Sequence, residues 1–210
     1  MPRLPAAERR AQLLETAAEL FAEHGYARAT TSQLAKAAGV TEPIIYRHFG
    51  SKRDLFIALV RRTSEETIEF WEERLAEAES PADRLSMLVD GNPMVHPRFH
   101  NAYRVILQAI TEVGDEGIAQ ALREHMDTVH EFLAKEIESG QAAHKVTARY
   151  SPELIAWLLI DVGLGFGVLT AWGVEGHGTD AKGKHVSDAI KRMLLGKPKK
   201  DGEKLSSSER

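Results

Sequence analysis

Between Thr41 and Phe49 the chain reads TEPIIYRHF, a set of residue types better suited to touching base edges and phosphates than to packing. On a helix, Ile45 and Phe49 stand four apart and turn inward, which leaves Glu42, Pro43, Ile44, Tyr46, Arg47 and His48 facing outward. A short helix has little reason to show that mixture to water. In a DNA major groove each has a use. Ile44 can meet a thymine methyl, Arg47 or His48 a guanine edge or a phosphate, and Glu42 a cytosine amino group.

The flanking residues supply what such a helix needs to be held. Thr30 with Gln33 three residues on forms a capping-box pattern that opens a preceding helix, whose apolar face is Leu34, Ala35 and Ala38. Gly39 supplies the left-handed residue that ends it, and Val40 fills the corner. Thr41 is expected to cap the second helix, with Pro43 in its first turn, where a missing amide costs nothing. Two short helices across a glycine turn, followed at once by a longer helix from Ser51, is helix-turn-helix punctuation. The long helix carries a second capping pattern, Ser51 with Asp54, and its apolar residues Leu55, Phe56, Leu59 and Val60 close a small core with helix one. That first helix spans about Ala7 to His24, with Leu14, Ala17, Ala18 and Phe21 inward and Gly25 at its end.

The run AERRAQLLETAAELFAEHGYARATTSQLAKAAGVTEPIIYRHFGSKRDLFIALV resembles the DNA-binding domain of the TetR family of transcriptional regulators. The AAGV turn, the Y-x-H-F ending and the S-K-x-x-L entry into helix four carry the likeness. It implies an all-α protein with an N-terminal helix-turn-helix domain over 1–50 and a ligand-binding and dimerisation domain over 51–196; the polar KPKKDGEKLSSSER tail over 197–210 reads as disordered from its own composition. It also implies phosphate contacts from Thr31, Tyr46 and Lys52, and approaches to base edges from Ser32, Thr41, Glu42, Pro43, Ile44 and His48. Arg47 suits either purpose. The short Ser32 and the acidic Glu42 depart from some relatives, which bears on the operator sequence and not on the activity.

Charge is distributed to match. The net charge is only −4, yet Met1 to Arg62 holds ten Lys/Arg against six Asp/Glu, while the rest of the chain carries the acidic excess. The head has the balance of a phosphate binder and the remainder would be repelled by DNA. The chain has no cysteine, which excludes disulfides and thiolate metal sites and fits a reducing cytoplasm. The N-terminal MPRLPAAERR, read as a mobile arm over residues 1–9, has no apolar signal core, so a cytoplasmic location is expected.

Behind the head, helix four should persist to about Glu79 as a mechanical connector. Further helices are expected at about Ala82–Asp90, Arg98–Val113, with Phe99, Ala102, Tyr103, Ile106, Ile110 and Val113 on one face, and Ile118–Ser139. Leu154–Val174 is apolar throughout except for Asp161, long enough to span a membrane. The flanking Glu153 and Glu175, the mid-span aspartate and the DNA-binding head argue instead for a helix buried between subunits. Gly163, Gly167 and Ala171, four apart, would let a partner backbone approach. The family resemblance pairs this helix with Lys184–Leu195 in a four-helix dimer bundle, with Ile190 and Leu194 at the dimer interface.

One helix-turn-helix reads only a few base pairs, so specificity calls for a homodimer on a near-palindromic double-stranded operator. A small-molecule effector seated among helices four to eight would tilt helix four; Trp71, Phe99, Tyr103, Met126, Trp157 and Asp161 are the candidate lining residues. Nine histidines raise the alternative of a metal-responsive regulator. However, His96 and His100 straddle Pro97 and His125 and His130 are five apart, so no metal or cofactor site is expected. A helical interaction protein that does not bind DNA is the other alternative. No nucleophile elbow, phosphate loop or dinucleotide fingerprint supports an enzyme.

Overall fold

Helix α4 (Lys52–Leu75) runs through both halves of the molecule, with the helices Ala6–His24, Pro81–Asp90, His100–Gln108 and Glu116–Ala142 packed against it. The computed structural model describes residues 4–195. In chain order these form α1 (Ala6–His24), α2 (Thr31–Ala37), α3 (Glu42–His48), α4, α5 (Pro81–Asp90), α6 (His100–Gln108), α7 (Glu116–Ala142), α8 (Pro152–Ala171) and α9 (Val186–Leu195). Short 3₁₀ turns sit at Pro93–Val95, Pro97–Phe99 and Ala109–Thr111. Among the described residues there is no strand, only one isolated bridge between Thr179 and His185.

Five of the helices, α2, α4, α5, α7 and α8, start by one device, a short oxygen-bearing side chain that accepts from a backbone amide two or three residues on. Thr30 accepts from Gln33 N while the Gln33 side chain returns to Thr30 N. Ser51, Ser80 and Ser151 accept from Asp54, Asp83 and Leu154, and Asp115 accepts from both Gly117 and Ile118. Each satisfies amides that a helix start leaves open. Thr41, expected to cap α3, makes no such bond; α3 instead gains from Glu42 in its positive first turn and from Pro43.

In the head, α1, α2, α3 and the first half of α4 close over Leu13, Leu14, Phe21, Leu34, Ile45 and Phe56, all sealed from solvent. Phe21, Tyr26 and Phe56 meet edge-on or tilted at 4.9 to 6.0 Å between centroids. In the second half, α7 is central, packed against α4, α5 and α8. Arg84 on α5 grips both oxygens of Glu136 on α7 at 2.7 and 2.8 Å and donates to Leu75 O at the end of α4.

Several expectations are corrected. Ala6 to Arg9 form the first turn of α1, not a mobile arm, because Pro5 sits at the N-cap and the following Ala-Ala-Glu favours helix. Met1–Arg3 and the tail over 197–210 lie outside the described residues. α4 ends at Leu75, short of Glu79. The span Arg98–Val113 is α6 between two 3₁₀ turns. Three residues per turn rotate Ile110 off the inward stripe, and Val113 falls in the turn beyond, leaving them 75% and 53% exposed.

The largest correction concerns α8. Its period places Gly163 and Gly167 on the same face as Ala156 and Ile160, so both glycines look into their own subunit. A Cβ on Gly163 would meet the Asn92 side chain at 3.5 Å, and one on Gly167 would meet Met94 at 3.3 Å. Ala171 is the last residue of the helix and is exposed. The outward stripe is Leu154, Trp157, Leu158, Asp161 and Gly165, with Trp172 just beyond. This helix has a mean hydropathy of 2.0, long and apolar enough to cross a membrane by that measure, and its apolar outer stripe is uncovered within one subunit.

Candidate nucleic-acid interface and cavity

The outward face of the helix-turn-helix is built by residues that α2 and α3 present side by side. Ser32, Thr41, Pro43, Tyr46 and Arg47 are exposed, and Thr31, Glu42, Ile44 and His48 are half-buried. Ile45 and Phe49 anchor α3 to the core, so these side chains are held on a fixed platform. Gly39, at φ +66°, turns the chain between the two helices in a conformation that side chains beyond glycine rarely adopt.

Three of the expected contact residues are joined to one another. Thr31 Oγ1 donates to Glu42 Oε2 at 2.9 Å and lies 3.1 Å from the Tyr46 hydroxyl. A threonine hydroxyl has one proton, so with that proton on the carboxylate, Tyr46 is the donor to Thr31. The chain Tyr46–Thr31–Glu42 therefore stitches α2 to α3 and fixes where the tyrosine hydroxyl sits. Lys52 is placed differently from a free phosphate ligand. Its Nζ donates to Tyr26 O at 2.9 Å and Ala29 O at 3.0 Å and lies 4.4 Å from the Tyr26 ring centroid. It clamps the loop between α1 and α2 and brings its charge to the edge of the interface.

Behind the head lies a cavity of about 430 Å³, bounded by α4, α5, α7, α8, α9 and the turn at Pro93–Val95. That volume falls within the roughly 300–1,000 Å³ of small-molecule sites. Leu88, Val89, Met94, Met126, Val129, Leu133, Leu159, Ile160, Val162 and Phe166 make its walls apolar. Of the residues expected to line a site, Trp71, Tyr103 and Met126 do. Phe99 is core, edge-on to Phe70 and Tyr103. Trp157 stacks on His130 at 4.3 Å on the outer side of α8. Asp161 sits in solvent on the outward stripe, so it needs no internal partner. Ile190 lines the cavity and Leu194 is buried within the subunit.

Two buried hydrogen bonds connect this cavity to α4. His125 Nδ1 lies 2.7 Å from Ser64 Oγ, and the Tyr103 hydroxyl lies 3.1 Å from Thr67 Oγ1. Burial pushes the His125 pKa down to about 4 and raises that of Tyr103, so both are neutral near pH 7. These pairings were not anticipated. The available signal was three hydroxyl residues, Thr63, Ser64 and Thr67, at core positions of α4, where a helical period calls for apolar side chains.

The same helix is tied to the domain behind at its other end. Arg53 Nε lies 2.8 Å from both oxygens of Asp115, which caps α7, and this bond holds the carboxyl below its usual range. The guanidinium lies across Gly117, where any Cβ would collide with it. Gln108 Nε2, from α6, donates to Ala22 O in α1 at 3.3 Å. Among the described residues no three His, Asp or Glu side chains gather as a metal set; His96 receives Arg98 N and packs on Phe70.

Residues 13–59 match the family model of bacterial regulatory proteins, tetR family. Over 146 residues the chain is 30% identical to the HTH-type transcriptional activator FasR of Mycolicibacterium smegmatis, covering 68% of this chain and 66% of that protein. It is 26% identical over 148 residues to the fatty acid metabolism regulator protein of Bacillus subtilis, covering 69% and 76%. The chain thus spans about two thirds of the first relative's length and about three quarters of the second's. The fold is similar to the crystal structure of FadR from Bacillus subtilis in complex with stearoyl-CoA, with a TM-score of 0.74 at 20% identity, over 89% of this chain and 97% of that one.

Proposed function

The chain belongs to the TetR family of bacterial regulatory proteins, and we propose that it is a ligand-responsive repressor. In this reading it binds a near-palindromic operator in the cytoplasm as a homodimer and releases it when an apolar small molecule fills the cavity. The relatives are transcriptional regulators, not enzymes. The observation that carries the reading is the course of α4: one unbroken helix begins at the DNA-facing edge with Lys52 and reaches the cavity wall at Trp71. Ser64 and Thr67 on that helix are bonded to two cavity-lining side chains.

On the operator, two heads would occupy successive major grooves roughly 34 Å apart. Tyr46, Thr31 and Lys52 would meet phosphates, and Ser32, Thr41, Glu42, Pro43, Ile44 and His48 would face the groove floor, with Arg47 at either. Phosphate binding to Tyr46 competes with its bond to Thr31, so the Thr31 hydroxyl becomes free to regroup on contact. The second copy would dock on the outward stripe of α8, with Gly165 in place of Gly163 and Gly167 as the small residue on the partner side. Covering Leu154, Trp157, Leu158 and Trp172 in this way removes from water an apolar surface that a lone subunit leaves exposed.

The apolar walls and the methionines Met94 and Met126, which adapt to irregular shapes, suit an elongated alkyl or acyl body. The stearoyl-CoA in the Bacillus subtilis FadR complex is an example of such a molecule. A coupling of about 1–3 kcal/mol between cavity and operator changes affinity about 5- to 150-fold. The test is a selection of genomic fragments by the purified protein, followed by mobility shifts across a salt series. A dimer bound to a palindrome, weakened by Tyr46→Ala and released by a cavity ligand, is the expected result. Protein that stays monomeric or binds every fragment alike would overturn the reading.

A further inference from the structure

His125 carries the one buried side-chain polar atom that lacks a hydrogen-bond partner among the described residues, its Nε2. The residue is 1% exposed and its ring borders the cavity. Buried polar atoms are nearly always paired, and leaving one unpaired is costly, so this atom calls for an explanation.

The other ring nitrogen decides what kind of partner is missing. Ser64 Oγ donates to Val60 O at 3.2 Å, and His125 Nδ1 lies 2.7 Å from the same Oγ. A serine hydroxyl has one proton and a carbonyl can only accept, so with that proton on Val60 O, Nδ1 carries the hydrogen and donates to Oγ. Nε2 is then a bare lone pair. Burial keeps the ring neutral, so this lone pair is available at neutral pH.

We propose that the effector presents a neutral hydrogen-bond donor, a hydroxyl or an amide N–H on an otherwise apolar body, to His125 Nε2. This deepens the proposed function and rests on the cavity being the effector site. A saturated hydrocarbon end has no hydrogen to give, a carboxylate would face the lone pair with its own, and an ammonium would lose its hydration in an apolar cavity. A donor at Nε2 extends the hydrogen-bond chain through Nδ1–H and the Ser64 hydroxyl to Val60 O, so the occupant is linked directly to α4.

The experiment uses the full chain without DNA and two probes of equal heavy-atom count, 1-decanol and 1-methoxynonane, titrated by calorimetry. The alcohol can donate and the ether can only accept. The wild type is expected to bind the alcohol about tenfold more tightly, the usual size of one buried hydrogen bond lost to an unpaired acceptor. In Ser64→Ala the Nδ1 partner is gone and the ring proton can move to Nε2, so the preference should shrink to within about twofold, with the ether gaining. His125→Phe should abolish the preference while both probes still bind. Equal binding to the wild type, a preference that survives both variants, or binding of neither probe would each overturn the proposal. Should His125→Phe fail to fold, Ser64→Ala alone decides it. Operator binding by the ligand-free protein is measured separately, so this proposal and the DNA-binding reading can fail independently.

Discussion

Because His125 is buried as a neutral imidazole, acid should unfold this protein through a residue that a glutamine in its place would not titrate. The folded pKa is about 4 and the ordinary value 6.5. The shift is downward, so the unfolded chain binds more protons between those values, and stability present above pH 6.5 is lost as pH falls toward 4. Each full pH unit inside that window is worth about 1.4 kcal/mol. Taking the protein from about pH 7.5 to about pH 5 thus costs about 2 kcal/mol through this one residue. For a chain of this length that corresponds to roughly 4–8 °C in melting temperature. The assay is thermal and urea unfolding of wild type and His125→Gln across that range, in which the carboxylates common to both cancel. The wild type should lose stability more steeply, the curves converging at acid pH. Parallel curves, differing by less than about 0.5 kcal/mol over the range, would show that burial does not lower the His125 pKa.

Other consequences can be checked with single substitutions. Gly163→Ala should stabilise the subunit by up to about 1 kcal/mol, because the added Cβ meets Asn92 at ordinary contact distance and alanine favours helix. Gly165→Glu, on the outward stripe, should instead reduce self-association in sedimentation; the reverse pattern would restore the inward-facing glycines to the interface. Thr30→Ala removes the capping box of α2 and should lower stability by about 1 kcal/mol, or roughly 2–4 °C in a melting scan. Tyr46→Phe keeps the half-exposed ring but not the donor, so operator affinity should fall with the melting temperature unchanged. Glu42→Gln removes a negative charge from the outward surface of the helix-turn-helix and should raise affinity for random DNA, measured at low salt.

The local punctuation was legible because it is made by neighbours in sequence. Thr30 with Gln33, Gly39, Pro43 and Ser51 with Asp54 act within one turn of the backbone, and the period of Leu14, Ala17, Ala18 and Phe21 assigns the inner face of α1 without reference to anything distant. The outward set Glu42 to His48 follows from the same arithmetic once Ile45 and Phe49 are turned in. The sequence by itself therefore determined the helix-turn-helix, its outward-facing residues and the all-α class. What it could not determine is which of two apolar faces meets which neighbour. α8 is hydrophobic all round, so its residues carry no contrast to orient it, and only packing against Asn92 and Met94 turned Gly163 and Gly167 inward and Gly165 out. The pairing of His125 with Ser64, 61 residues apart, was likewise decided by tertiary structure, because a buried polar atom is satisfied by whichever group the fold brings within reach.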